Sequence, residues 1–146
     1  MTDLVADRDF GELVDSMCTR PGMYVTPPTF DTVAAYIDGF DAALRGGILV
    51  GLHQWLVKKR DTGNNVAWPG IASTLIGADP NAPGTDVEHR RIRALGNLLL
   101  EFIEYRRSNG LTKIFCEYRD WLSSQSWYDG PLQDATSRGR ARRRKK

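Results

Sequence analysis

Apolar residues recur at intervals of three and four along most of this chain, and Gly or Pro interrupts each run. That pattern narrows the possible folds more than anything else in the sequence. Each run lays one apolar stripe along a helix, and such a helix must bury its stripe against another element. The clearest run is Phe30, Val33, Ala34, Ile37, Phe40 and Leu44, with Asp31, Asp38, Asp41 and Arg45 mostly off the stripe. Thr29 suits its N-cap, Asp31 its first turn, and Gly46-Gly47 its end.

Read the same way, Phe10, Leu13, Val14 and Met17 predict a first helix over 8–18, after a frayed stretch over 1–7. Arg20-Pro21-Gly22 breaks it, and Met23-Tyr24-Val25 reads as a short extended segment. A third helix is expected over 48–60, with Ile48, Leu52, Trp55 and Leu56 inward and Lys58-Lys59-Arg60 in its last turn. Asp61 to Asn65 is a Gly/Asn-rich turn, and Pro69 opens a short helix over 69–77. After a loop over 77–84, a long helix runs from about Asp86, capped by Thr85 or Asp86, to Asn109-Gly110. Ile92, Leu95, Leu99, Phe102 and Ile103 form its stripe. A last helix over 112–124 carries Ile114, Phe115, Tyr118, Trp121 and Leu122, although 113–118 could also pair as a strand. The expected fold is all-α: one compact bundle of about six helices over residues 1–137, with a disordered basic tail over 138–146.

The tail also explains the charge. The chain has 20 basic and 18 acidic residues, a net charge of +2. Arg138, Arg140, Arg142, Arg143, Arg144, Lys145 and Lys146 supply seven of the cations, leaving 13 bases against 18 acids and a net charge of −5 over residues 1–137. The body is therefore acidic, and the overall basic balance says nothing about its surface. The tail can contact phosphates, or can be a solvated end.

Several chemistries lack their motifs. The sequence holds no phosphate loop, dinucleotide fingerprint, nucleophile elbow, Cys-x-x-Cys pair or His-Glu-x-x-His helix. No cofactor and no metal is expected. No apolar run approaches the roughly 18 residues of a membrane-spanning helix. The acidic start and the two cysteines, Cys18 and Cys116, point to a cytoplasmic protein with free thiols. His53 and His89 read as surface histidines, and Cys18 and Cys116 as structural thiols. Glu101, Glu104, Glu117 and Asp120 read as a solvated acidic face.

One string is more specific than a helical bundle needs: Arg20-Pro21-Gly22-Met23-Tyr24. As a corner, it would have Met23 and Tyr24 plug the core and Arg20 cap the carbonyls of the first helix. As a rigid loop, it could instead carry a partner surface. Residues 20–25 resemble the Arg-Pro-Gly-Met-Tyr-Ile-Gly segment near the start of gyrase B-type ATPase domains. In those domains the following helix carries a Glu and an Asn, where this chain has Asp38, Gly39 and Asp41. Their later Asp-x-Gly-x-Gly loop is missing too, so the likeness does not extend to ATP hydrolysis.

A broader resemblance joins this corner to Tyr36-Ile37-Asp38-Gly39-Phe40, Gly51-x-x-x-Trp55-Leu56, Trp68 and Leu99-x-x-Phe102. Over residues 20 to 105 the chain is similar to a family of small uncharacterised bacterial proteins, some of them beside polymorphic toxin genes. The resemblance implies an immunity or antitoxin-like role, and its motifs are of a core-forming kind. His53 stands where an aromatic residue fits the pattern, and the basic tail lies outside it.

Two functions follow as expectations. The first is a non-enzymatic binding protein that holds a protein partner through its acidic helical surface. Arg20, Tyr24, Trp68, Trp127 and Tyr128 are its candidate contacts, the first two from the corner loop and the other three because they fall outside the helical stripes. The second is a nucleic-acid-associated protein. It would use the seven tail cations together with Arg90, Arg91 and Arg93, which oppose the dipole at the start of the long helix.

Overall fold

The computed structural model describes residues 4–77 and 84–130. It holds five α-helices: α1 (Leu4–Thr19), α2 (Phe30–Ala43), α3 (Leu52–Arg60), α4 (Trp68–Ile76) and α5 (Gly84–Ser124). A 3-10 turn, Pro21–Met23, follows α1. There is no strand among the described residues, so 113–118 is helical. Residues 131–137 and the 138–146 tail lie outside the described residues, as does most of the 77–84 loop.

Helix α5 is the spine, and α1, α2, α3 and α4 all pack against it. Its buried stripe is Ile92, Leu95, Leu99, Phe102 and Ile103, joined by Leu98, Ile114 and Trp121. Phe10, Val14 and Met17 of α1 meet it, as do Leu52, Trp55, Leu56 and Val57 of α3 and Ile71 and Ala72 of α4. These spacings are those the sequence shows.

Five helices are found where six were expected, and the boundary expected at Asn109-Gly110 is a kink inside α5. Gly110 takes φ 81°, ψ 161°, a non-helical conformation open to glycine, and helical residues continue on both sides of it. Asn109 Nδ2 donates to Tyr105 O and Lys113 donates to Asn109 Oδ1, bridging the break. The helix also starts earlier than expected, leaving Asp86 in its first turn rather than at the cap.

Residues 4–7, expected to be frayed, are helical, while residues 1–3 lie outside the described residues. Helix α1 starts at Leu4, and Asp7 is buried. Its partner is Arg106, 1% exposed, whose Nη2 lies 2.6 Å from Asp7 Oδ1. Arg106 Nη1 also donates to Ile48 O and Val50 O at 2.6 and 3.1 Å, and the guanidinium lies over the Phe102 ring. One cation thus ties α1, the 44–51 connection and α5 together.

That connection replaces the first turn expected of α3. Asp41 Oδ1 accepts the N–H groups of both Ile48 and Leu49, so these two residues are held in a loop and the helix begins at Leu52. Gly51, at φ 88°, turns the chain into it. Leu44 lies beyond the end of α2 and is 46% exposed, so it leaves the stripe it was assigned to. Thr29 caps α2 as expected, accepting from Thr32 N, while Thr32 Oγ1 accepts from Thr29 N. Glu88 of α5 adds a second cap by accepting Phe30 N–H at 2.6 Å.

Cys18 is buried against α5, and burial pushes its thiol up to about 11, with repulsion from Asp15 adding to the shift. Burial likewise raises the Tyr105 and Tyr118 phenols above 10.0. All three groups favour the neutral form in the fold, whereas the unfolded chain releases these protons first, the thiol from about 9.0. Their contribution is therefore complete below pH 9 and is lost as pH rises toward 11. Urea midpoints should be flat from pH 7 to about 9 and then decline. A midpoint that rises across that alkaline range would overturn this reading.

Candidate functional site

The turn after α3 is set by Asp61. It closes the helix in the left-handed region, φ 62°, ψ 25°, with its N–H donating to Val57 O. Gly63 continues the turn at φ 97°, and Val66 N–H closes it on Gly63 O. His53 Nε2 lies 3.0 Å from Val66 O and holds the far end of the loop.

The end of α5 faces this turn. Trp121 Nε1 donates to Asp61 Oδ1 at 2.6 Å, and the Tyr118 hydroxyl bonds Asn64 Oδ1. Trp121 is buried and stacks on Tyr118. Beyond Ser124 the chain turns back: Gln125 N–H bonds Leu122 O, and Tyr128 N–H bonds Gln125 O. Gln125 Nε2 also donates to Trp121 O. This turn sets the Trp127 ring edge-on to Trp121 at 6.1 Å, with Tyr128 edge-on to Trp127 at 6.3 Å.

Trp121 lies in the body, whereas Trp127, in contact with it, is 58% exposed. Between them and the 61–65 loop lies a cleft of about 340 Å³. Its polar wall is Asp61, Thr62, Asn64 and Asn65, and its other wall is Trp121, Gln125 and Trp127. A ring face opposite a carboxylate and amides can grip a flat polar group and fix its orientation.

The Arg20 corner forms a separate surface. Pro21 is buried, and the N–H groups of Tyr24 and Val25 both reach its carbonyl. Of Met23-Tyr24-Val25, expected to be extended, Met23 ends the 3-10 turn and Tyr24 caps it with helical φ/ψ. Met23 does not plug the core: the turn throws it outward, 79% exposed. Tyr24 is half-buried and meets Tyr36 edge-on. Arg20 is exposed, and its backbone N–H, not its side chain, bonds the end of α1 at Ser16 O. Asp15, Ser16 and Thr19 complete a cleft of about 340 Å³ with Arg20, Met23 and Tyr24.

The remaining candidates are placed apart. Trp68 is half-buried, and its Nε1 donates to Asp38 Oδ1 at 2.6 Å, joining α4 to α2. Arg91 lies over the Phe30 ring, bonds Ser73 Oγ and faces Glu88, so its cation is engaged within the fold. Arg90 and Arg93 are exposed on α5. Arg138, Arg140, Arg142, Arg143, Arg144, Lys145 and Lys146 lie outside the described residues. The acidic residues of α5 carry local partners. Glu101 meets Lys59, Glu104 meets Arg107, Asp120 meets Arg119, and Glu117 accepts from the Tyr105 hydroxyl. A third groove, about 520 Å³ between α1 and α5, has its cations Arg8 and Arg107 paired with Glu12 and Glu104.

Asp61, Asn64 and Trp121 escape the sequence reading because each has a sufficient local role, as turn or as stripe. Only folding brings residues 60 positions apart into contact. Among the described residues, no group of three or more His, Cys, Asp or Glu is placed to hold a metal ion, and no helix is long and apolar enough to cross a membrane. No family model matches the chain, and neither does any curated protein or solved structure.

Proposed function

We propose that this chain is a non-enzymatic cytoplasmic binding protein that holds a basic protein partner, with the Trp127 cleft as its anchor site. The observation that carries the reading is the exposed Trp127 ring, fixed by a bonded turn beside a carboxylate and a buried Trp121. A preordered aromatic residue loses little freedom on binding, and Trp is enriched where interfaces concentrate their energy. The −5 charge over residues 1–137 would speed encounter with a basic partner. The rigid corner offers Met23, Tyr24 and Arg20 as a second contact. The immunity or antitoxin-like role is what the resemblance over residues 20 to 105 implies.

A pull-down from host lysate at low and high salt, comparing the full chain with residues 1–137, tests the reading. One protein should be retained by both forms at high salt. Trp127→Ala should weaken its capture by about 2 kcal/mol, roughly thirtyfold. Nucleic acid retained only by the full chain, and lost as salt rises, would overturn the reading in favour of phosphate contacts by the tail.

A further inference from the structure

The cleft's chemistry narrows what the partner must present. Four cations of this chain lie over its own aromatic rings: Lys59 over Trp55, Arg91 over Phe30, Arg106 over Phe102 and Lys113 over Tyr105. Among the described residues, none lies over Trp121 or Trp127, although Trp127 is the more exposed of the two. The one ionisable group lining the cleft is Asp61, a carboxylate. Its Oδ1 is taken by Trp121 Nε1. Arg60 touches the loop at Gly63, 3.1 Å from where a Cβ would sit, and does not line the cleft.

Asp61 is also an informative choice of residue. Its backbone is left-handed, a conformation that glycine and asparagine adopt more readily. An asparagine oxygen could accept the Trp121 indole equally well. What aspartate adds is the negative charge, beside open ring surface and the amides of Asn64, Asn65 and Gln125.

We infer that the cleft is an arginine-recognition site, in which the guanidinium of a partner arginine lies against Trp127 and pairs with Asp61. The planar cation matches both walls. Its face suits the ring quadrupole, and its N–H edge suits a carboxylate and amide oxygens. This rests on the reading of the Trp127 cleft as the anchor site.

The test uses N-acetyl-arginine amide and its neutral isostere N-acetyl-citrulline amide, added to the full-length protein. The Trp121 and Trp127 indole N–H resonances report binding. The arginine compound should shift both resonances saturably, and the citrulline compound should bind at least about tenfold more weakly. Asp61→Asn keeps an acceptor for Trp121 and should retain the fold while weakening arginine binding by a similar factor. Trp127→Leu changes an exposed ring and should weaken it too, as read at Trp121. Equal binding of the two compounds, no shift with arginine, or an Asp61→Asn variant of unchanged affinity would each overturn the inference. The two readings fail separately. Partner capture through Trp127 without arginine binding sinks only the arginine assignment. Arginine binding without partner capture sinks only the protein-partner reading.

Discussion

Replacing Arg106 with Met should lower unfolding free energy by about 3–5 kcal/mol, because it strands a buried carboxylate. The Asp7 and Arg106 side chains are almost wholly removed from water, and their 2.6 Å contact spans 99 positions of sequence. Arg106 also satisfies the carbonyls of Ile48 and Val50, so its loss orphans acceptors in a loop that no strand or helix supports. Asp7→Asn should cost a similar amount by leaving the guanidinium without a counter-charge. The pair is not perfectly served even in the native fold: Asp7 Oδ2 and Arg106 Nε are buried without a partner. The double variant Asp7→Leu with Arg106→Met should therefore recover part of the loss, since it leaves no charge to bury, although the Ile48 and Val50 carbonyls stay without their donor. Urea denaturation of the four proteins gives the coupling energy directly. A single Arg106→Met variant within about 1 kcal/mol of wild type would show that the pair does not hold the bundle together.

The same residues show where sequence reading succeeds and where it stops. The stripes of α2 and α5 were legible because burial follows the 3.6-residue period, and Thr29 and Asp31 mark a helix start by local chemistry alone. Arg106 was invisible for a physical reason. A lone arginine inside a charged helix normally faces solvent, and the distant Asp7, with the Ile48 and Val50 carbonyls, makes its burial tolerable. The start of α1 fell with it, since residues 1–7 look frayed unless Asp7 has somewhere to go. Ile48 and Leu49 have helix-like spacing, yet one Asp41 oxygen captures both of their N–H groups and delays α3. In the candidate site, Trp127 stood out as an aromatic residue outside any stripe. Its partners did not, because Asp61 and Trp121 already had readings as turn and as core. Met23 was misplaced for a related reason. Hydrophobicity predicts burial, but the tight Pro21 turn decides which way the side chain leaves the chain.

Gly96 carries the second large expectation. It sits buried in α5, where a Cβ would lie 2.8 Å from Cys18 Cβ and 2.9 Å from Cys18 Sγ. Within an exposed helix, Gly→Ala would stabilise by about 1 kcal/mol through propensity. Here the close atom is the Cβ of α1, fixed to its backbone, so relief requires the two helices to part. Overpacking of this kind costs about 1–3 kcal/mol, and parting α1 from α5 would also strain the Asp7–Arg106 contact on the same interface. Gly96→Ala should therefore be destabilising despite the better helix former, and Gly96→Val more so, with two further methyl groups against the same wall. Cys18→Ala removes the sulfur but leaves the 2.8 Å conflict, so it should rescue Gly96→Ala only in part. Cys18→Gly removes both atoms and should show clear positive coupling with Gly96→Ala in a double-mutant cycle. A stabilised Gly96→Ala protein would mean that α1 and α5 can separate freely. In that case the α1–α5 seam is not the rigid frame from which the rest of the bundle is hung.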